Sequence, residues 1–380
     1  MVGKIFDCCC GCGACAAVCP VGAIRMTMDG NGFYKPAVSD DCISCGACLR
    51  VCPVEGPPSG EPPKGFFACA GEPERVRKSS SGGVFSLLAE QVIAGGGVVY
   101  GCGWDENHTP RHMPVENGEE LPRLYGSKYA QSNMEGVYPQ VKNNLNKGKP
   151  VLFSGTPCQV AGLRKYLKRD YENLIAVDFI CHGVPSAKVL KKYLSELEME
   201  KGAKVSSLTF RDKTNGWAEL RLTVDFDDGS TYSQPASQDL YYRAFLCNLS
   251  LNQVCGECPF NALPRCADIT LGDFWRIERH HDGFADDAGV SCVVINTEKG
   301  QNLFEKARQY LTVQQSTQAD IMDGNPFLNG HCKLHKRRDK FFAGLDDRQL
   351  GSWAEECLKL TRMEWLGEVI RYRLGRYRES

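Results

Sequence analysis

The distribution of apolar residues along the chain takes on a regular pattern from residue 84 onward. Between Val84 and Val92 the apolar side chains recur three and four positions apart, which predicts an amphipathic helix. Three consecutive glycines at positions 95–97 should end this helix, and the apolar run 98–100 predicts a short strand. A helix that leads into a strand is the first indication of a core that mixes both kinds of element.

The clearest alternation of elements lies between residues 151 and 200. Apolar runs at 151–153 and 174–180 predict two strands, and each is followed by a glycine-containing loop and a helix. This order is typical of a parallel α/β sheet, in which ligands bind beyond the carboxyl ends of the strands. Cys158 and Cys181 follow the two strands, so neighbouring strands would place both thiols at one edge of the sheet.

Two later regions depart from this order. Apolar and polar residues alternate at 220–226 ahead of an Asp-Gly turn, which predicts an antiparallel hairpin that extends or flanks the sheet. Beyond residue 326 the chain is expected to be mainly helical. Its basic end is more typical of a solvated helix terminus than of a partner-binding surface, and it contains Arg371, Arg373, Arg376 and Arg378.

These patterns predict a chain that combines α+β and α/β architecture. A Pro- and Gly-rich linker should separate a cysteine-rich N-terminal module from a mixed α/β core. The predicted segments are the module at 1–56, the linker at 57–65, the first part of the core at 66–148, its α/β part at 149–325 and a helical tail at 326–380.

The N-terminal module contains two cysteine repeats with the same spacing. In each repeat two residues separate successive members of a cysteine triplet, and a fourth cysteine follows directly before a proline. This spacing is typical of a ferredoxin that carries two [4Fe–4S] clusters. The cysteines are Cys9, Cys12, Cys15 and Cys19 in the first repeat, and Cys42, Cys45, Cys48 and Cys52 in the second.

Two-cluster ferredoxins exchange the fourth ligand between the repeats, so we assign Cys52 to the first cluster and Cys19 to the second. Three closely spaced thiolates can wrap one side of a cubane, whereas zinc usually takes two separated pairs of ligands. We therefore favour iron–sulfur clusters over zinc or disulfides. Cys8 and Cys10 crowd the first ligand, and the match between the repeats leaves them without a ligand role.

A third group of cysteines lies between residues 255 and 266. Cys255, Cys258 and Cys266 supply three thiolates, and either Cys181 or Cys158 could supply a fourth from the edge of the sheet. The Cys-x2-Cys pair alone also fits zinc. A third [4Fe–4S] cluster is the favoured interpretation, because two clusters upstream could use it as a relay towards a buried cofactor.

A Ser/Gly-rich stretch precedes the helix predicted at residue 84. Ser80, Ser81, Gly82 and Gly83 would present backbone N–H groups and hydroxyls where the helix dipole favours anions. They could hold the phosphates of a nucleotide cofactor or form an ordinary helix cap, and this stretch alone favours neither. Lys128 could also reach a phosphate, although a single lysine is usually solvated.

Composition narrows the classes of function. A formal net charge of −1 gives no bulk attraction to nucleic acid, and no apolar stretch reaches the roughly 18 residues that a membrane span needs. The 21 cysteines indicate metal or redox chemistry in a reducing compartment. We expect a cytoplasmic protein that has no nucleic-acid partner and no membrane span.

Taken in order, these motifs resemble the beta subunit of coenzyme F420 hydrogenase/dehydrogenase, in the form with an N-terminal two-cluster ferredoxin module. Several short motifs in the right order are more specific than any one of them, and residues from 326 onward lie largely outside the resemblance. Besides the ferredoxin repeats, the matching segments are 78–83, 126–129, 155–159, 181–184, 255–266 and 268–275.

The resemblance implies a flavin in the core, FAD with FMN as the alternative, and hydride exchange with a deazaflavin coenzyme in many members. It implies that residues 80–83 hold the flavin diphosphate. It also implies that the third cluster is held by Cys181, Cys255, Cys258 and Cys266, with Cys181 preferred to Cys158. Further residues implied to lie near the cofactor are Lys128, Gly155, Thr156, Pro157, Cys158 and Gln159.

Two functions are therefore expected. The first is an oxidoreductase that passes electrons between its clusters and a flavin, which exchanges hydride with a small organic substrate or an F420-like carrier; no catalytic side chain is assigned. The second is an electron-transfer subunit that has no substrate and serves a redox partner protein. Candidates to bind an acidic coenzyme tail are Arg164, Lys165, Arg211, Arg243 and Arg276.

Overall fold

Two short helices and a two-stranded antiparallel sheet form the N-terminal module of the computed structural model, which describes residues 8–57, 59–284 and 287–359. The elements are α1 (Ala14–Val18), β1 (Ile24–Met28), β2 (Tyr34–Val38) and α2 (Ala47–Arg50). Gly13 and Gly46 precede the two helices with left-handed backbones, at φ 81° and 71°. Both glycines occupy the same position in the two cysteine repeats, so the sequence repeat is also a structural repeat.

The elements between residues 65 and 201 alternate between strand and helix. They are β3 (Gly65–Ala70), α3 (Pro73–Arg77), α4 (Val84–Ala94), β4 (Val98–Trp104), β5 (Pro110–Val115), α5 (Val137–Asn146), β6 (Val151–Ser154), α6 (Pro157–Leu167), β7 (Leu174–Phe179) and α7 (Ala187–Lys201). The expected end of α4 at the three glycines is confirmed, since Gly95 caps the helix. Strand β4 is longer than its apolar run predicts, because β5 pairs with its whole length.

A separate three-stranded antiparallel sheet follows α7. It consists of β8 (Val205–Phe210), β9 (Arg221–Phe226) and β10 (Thr231–Pro235), with β9 in the middle. The predicted hairpin therefore flanks the main sheet and does not extend it. Helix α8 (Leu240–Leu246) then leads back to the core.

The remaining described chain adds three strands and several helices. They are β11 (Ile269–Asp273), β12 (Ser291–Ile295), α9 (Glu298–Arg308), β13 (Thr312–Gln315), α10 (Gln318–Gly324), α11 (Arg338–Ala343) and α12 (Leu350–Leu358), with short 3-10 helices at Leu121–Leu124, Gln253–Glu257, Ile277–Arg279 and Pro326–Asn329. The arginines of the predicted basic end lie outside the described residues. No helix of the described chain is long and apolar enough to cross a membrane.

The main sheet has eight strands in the order β13-β3-β12-β11-β7-β6-β4-β5. Strands β4, β6, β7 and β11 run parallel to one another, and antiparallel strands complete both edges. The predicted parallel pair is therefore confirmed: β6 and β7 are neighbours, and the loops that carry Cys158 and Cys181 leave the same edge.

The N-terminal module packs tightly against the core. Helix α1 contacts α6, and a methyl group at Gly162 of α6 would lie 2.8 Å from the sulfur of Cys12. The Gln131 side-chain oxygen accepts a 2.7 Å hydrogen bond from the backbone N–H of Tyr34. The predicted linker is also packed, since Gly60 lies directly against the backbone of Arg265. The module and the core therefore share one buried interface.

Candidate functional site

A cavity of about 40 Å³ lies within the N-terminal module, and we call it the module cavity. Its lining includes the four cysteines predicted to bind the first cluster, Cys9, Cys12, Cys15 and Cys52, together with Cys10 and Cys48. Burial, reinforced by the neighbouring Cys9 sulfur, raises the pKa of the Cys15 thiol to about 12. The structure brings these four cysteines together, and their assignment to one cluster stays a prediction.

The donors of the module cavity fit an iron–sulfur cluster. The pKa values of the Cys9, Cys12 and Cys15 thiols are raised, by burial and by one another's charge, so as thiolates they need positive charge nearby. Iron supplies such charge. The left-handed Gly13 carries no side chain that would occupy the cavity it lines. Within the described residues, no three His, Cys, Asp or Glu side chains are arranged to hold a single metal ion.

The second predicted cluster site lies at the surface of the module. Cys42 and Cys45 are exposed, and Cys19 and Cys48 are half-buried. The left-handed Gly46 occupies the place that Gly13 has in the first repeat. The assignment of these four cysteines to one cluster stays a prediction that rests on the repeat.

A third group of thiols meets at the carboxyl ends of β6 and β7. The sulfur of Cys158 lies 3.0 Å from Thr156 Oγ1 at the start of α6, and the sulfur of Cys255 accepts a hydrogen bond from the backbone N–H of Val184. Burial raises the pKa of the Cys181 thiol, and negative charge on Cys255, Cys158 and Cys258 adds to the shift. These four sulfurs are therefore mutual electrostatic neighbours.

Cys266 has different surroundings. Burial raises the pKa of its thiol to about 12, and its main electrostatic neighbours are Asp178, Arg164 and Arg265. Its carbonyl accepts a 3.2 Å hydrogen bond from Arg164. Cys158 therefore shares its electrostatic surroundings with Cys181, Cys255 and Cys258 more closely than Cys266 does. The ligand set with Cys266, which the family resemblance implies, stays a prediction.

A second and larger cavity of about 510 Å³ lies at the carboxyl ends of the parallel strands, and we call it the core cavity. Its volume falls in the usual range for small-molecule and cofactor sites. Of the Ser/Gly stretch, Ser80, Ser81 and Gly83 line this cavity. Gly82 does not line it, since its N–H donates to Ser291 Oγ and its backbone lies against Cys69.

Two cations hold the Ser/Gly stretch in place. Arg211 forms a bidentate ion pair with Asp273, at 2.5 and 3.1 Å, and donates to the carbonyl of Ser80 at 3.0 Å. The Lys213 ammonium donates to the carbonyls of Val76, Ser81 and Ala288. The carbonyls of Ser80 and Ser81 are thereby satisfied by the protein itself. Sequence reasoning placed Arg211 among coenzyme-tail candidates and gave Lys213 no role.

Lys128 lines the core cavity, as its predicted role requires, but its ammonium is already bound. It donates to the carbonyls of Tyr125 and Gly126 at 2.6 and 3.2 Å, and so closes the loop after the 3-10 helix at 121–124. Burial lowers the pKa of Lys128 to about 8. The structure therefore gives it the role of a loop clamp.

The predicted loop at 155–159 is organised by a capping box. Gln159 accepts from the N–H of Thr156 and donates to Ser132 Oγ, each at 2.9 Å. Four residues of the loop, Gly155, Thr156, Cys158 and Gln159, line the core cavity, and Pro157 at the first position of α6 does not.

His112 extends this network, and sequence reasoning did not find it. Its Nε2 lies 2.9 Å from the carbonyl of Ser154, which can only accept, so Nε2 carries the proton. Nδ1 then accepts from the Ser132 hydroxyl at 2.9 Å. Burial lowers the pKa of His112 to about 4, which keeps the imidazole neutral beside the cavity.

Part of the wall of the core cavity is aromatic, with His182, Phe245, Trp275 and Phe327 in its lining. Trp275 stacks on Trp217, with ring centroids 4.7 Å apart and an interplanar angle of 9°. His182 lies edge-on to Phe245 and Phe327. Local sequence carries no signal for this wall, because its members come from segments far apart in the chain.

The candidate cations for an acidic coenzyme tail do not converge on the core cavity. Arg164 pairs with Asp170 and Asp268, and Arg276 pairs with Asp323. Of the five candidates, Arg211 alone lines the cavity, and it forms an ion pair with Asp273 there.

Comparison with known proteins adds two matches to family models. Residues 148–319 match the model that describes the C terminus of the beta subunit in coenzyme F420 hydrogenase/dehydrogenase. Residues 8–55 match the model of a 4Fe-4S dicluster domain. Comparison with curated proteins found no match.

One similar solved structure is a chain from the xenon-derivatised F420-reducing [NiFe] hydrogenase complex of Methanosarcina barkeri. The two chains are 19% identical with a TM-score of 0.45, and the match covers 68% of this chain and 84% of that chain.

Proposed function

We propose that this chain exchanges electrons between its clusters and an organic hydride donor or acceptor in the core cavity. The chain belongs to the coenzyme F420 hydrogenase/dehydrogenase beta subunit family through residues 148–319, and it carries a 4Fe-4S dicluster domain at residues 8–55. The observation that carries the proposal is the direct packing of the module on the core. Cys12 lies against Gly162 of α6, and the N-terminus of the same helix lines the core cavity.

The core cavity fits a flavin nucleotide. Its volume suits a fused ring system, and the N-terminus of α4 behind Gly83 offers the backbone N–H groups that favour phosphate. A bound flavin would supply the exchange between single electrons and hydride. The residues that would hold it are Ser80, Ser81, Gly83, Gly155, Thr156, Cys158 and Gln159.

The protein contributes position and a dry environment in this proposal. Arg211 and Lys213 fix the Ser/Gly stretch through its carbonyls, and neutral His112 adds no charge to the cavity wall. The aromatic wall limits the water that reaches the cavity. We assign no catalytic residue, because none of these groups needs to transfer a proton.

The proposed third cluster would lie between the module and the core cavity. Cys158, Cys181, Cys255 and Cys258 are the residues that would hold it, and a [4Fe–4S] cluster there would supply one-electron transfer. Cys158 lines the core cavity, so this site adjoins it.

A second candidate function is electron transfer without a substrate. The observation that favours it is the surface of the second repeat, where Ile43 is 62% exposed between the exposed Cys42 and Cys45. An apolar side chain beside a predicted cluster suits contact with a redox partner protein.

Iron and flavin analysis of protein purified without oxygen tests these alternatives. Three cubane clusters predict about twelve irons per chain, together with one flavin. The purified chain should then be reduced by a hydride donor, the deazaflavin coenzyme first. Full iron without flavin and without such reduction would contradict the enzyme and leave the electron-transfer subunit.

A further inference from the structure

Cys10 lies in the wall between the two cavities. It lines the module cavity with the predicted ligands of the first cluster, and it also lines the core cavity. Among the described residues of the module, Cys10 alone belongs to the lining of the core cavity. A residue that the repeat left without a ligand role thus occupies the point where the two sites meet.

Cys10 lies beside both groups of cysteines. It shares the lining of the module cavity with Cys12 and the lining of the core cavity with Cys158. The residue is buried, at 9% exposure. The side-chain amide of Gln131 donates to the Cys10 carbonyl at 3.3 Å, which ties this backbone to the core. Cys10 therefore has a fixed position beside two predicted ligand sulfurs.

We propose that Cys10 is a positioning residue for electron transfer between the first cluster of the module and the core. Its S–H donates to the ligand sulfur of Cys12, and its sulfur fills the space between Cys12 and Cys158. The part of this inference that concerns the core rests on the proposed function. The hydrogen bond to Cys12 requires only the 4Fe-4S dicluster domain.

The electronic consequence follows from charge. Reduction adds an electron to the cluster and makes its ligand sulfurs better hydrogen-bond acceptors, so a donor at such a sulfur stabilises the reduced state and raises the reduction potential. Removal of the donor should lower the potential. A hydroxyl in the same place keeps a donor and should retain most of the effect.

The test compares Cys10→Ala with Cys10→Ser in the full chain, purified and handled without oxygen. Cys8→Ala is the matched control, because Cys8 is an exposed thiol two positions away. Iron content and redox titrations followed by EPR are measured for each variant. Thermal unfolding followed by circular dichroism verifies that each variant is folded.

In Cys10→Ala we expect unchanged iron and a more negative midpoint for one cluster. At a fixed ambient potential, the ratio of reduced to oxidised cluster should fall roughly threefold, which is the effect of losing one net hydrogen bond. The midpoint potential of Cys10→Ser should lie close to that of the unmodified chain, and the midpoint potential of Cys8→Ala should equal it.

Two results would overturn the inference. An unchanged midpoint in Cys10→Ala would make the thiol a packing residue, and a loss of about four irons would make it a ligand. The titration needs neither flavin nor hydride donor, so a chain that fails to bind flavin contradicts the proposed function and leaves this test intact. Absence of any reducible cluster in the unmodified chain would overturn both.

Discussion

The sulfur of Cys12 faces Gly162 across the interface between the module and the core. A methyl group at Gly162 would lie 2.8 Å from that sulfur and 2.9 Å from the hydroxyl of Tyr138. Both distances are too short for ordinary contact, so only glycine allows α6 to approach the first cluster site this closely.

Gly162→Ala should therefore weaken the interface. We expect a loss of about 1–3 kcal/mol in the free energy of unfolding, from overpacking, and a lower iron content because Cys12 is displaced. Denaturant unfolding and iron analysis are the measurements. Gly118→Ala is the control, since no atom lies within 4 Å of the methyl position there. Equal behaviour of the two variants would contradict direct packing of α6 on Cys12.

Gly83→Asp should reduce flavin binding if the N-terminus of α4 holds the phosphates. The added carboxylate would repel phosphate, while Gly83→Asn presents nearly the same shape and accepts the same left-handed backbone, φ 81°, without the charge. We expect at least tenfold weaker flavin retention in the Asp variant than in the Asn variant, with equal iron. Titration of apo-protein with FAD, followed by fluorescence, measures it. Equal affinities would place the phosphates elsewhere.

Cys158→Ala and Cys266→Ala should differ in iron content. Cys158 shares its electrostatic neighbourhood with Cys181 and Cys255, whereas Cys266 lies beside charged side chains. We expect the Cys158 variant to lose about four irons per chain and the Cys266 variant to keep them. The opposite result would restore the ligand set that the family resemblance implied.

His112 should make stability depend on pH. Its pKa is about 4 in the folded protein, below its ordinary value, because burial disfavours the charged ring. The unfolded chain therefore binds more protons between about pH 6.5 and pH 4, and stability is lost as pH falls through this range. The loss should approach ~3 kcal/mol. Denaturant unfolding from pH 7 to pH 4 measures it, and His112→Gln should show a shallower dependence. An identical slope in both would refute the assignment.

Arg211 and Asp273 should behave as a coupled pair. The guanidinium is 4% exposed, so Arg211→Ala leaves the Asp273 carboxylate with an uncompensated charge in a largely buried site. We expect that variant to lose about 3–5 kcal/mol in the free energy of unfolding, and the double variant with Asp273→Ala to lose less than the two single variants together. A double-mutant cycle by denaturant unfolding gives the coupling. Additive losses would mean that the two charges act independently.

Local sequence patterns predicted most of the elements around the site. Helix α4 and the two strand–helix units β6–α6 and β7–α7 follow from apolar spacing and from glycine-containing loops, which act over a few residues. The family resemblance, which rests on short motifs in order along the chain, is also confirmed by the two family-model matches. Local patterns do not decide whether the hairpin extends or flanks the main sheet, because that depends on sheet edges formed by distant strands.

The two cysteine repeats and the alternating α/β core can both be predicted from the amino-acid sequence. Cluster-binding loops depend on spacing within a few residues, and parallel strands depend on apolar runs, so both are visible in the chain. Only the tertiary structure shows that Cys158 lies near Cys181, that Cys10 lines both cavities, and that Lys128 and Arg211 are bound by groups of the protein. These relationships join residues that are up to about 150 positions apart in the chain, and folding brings them together through packing that no local pattern records.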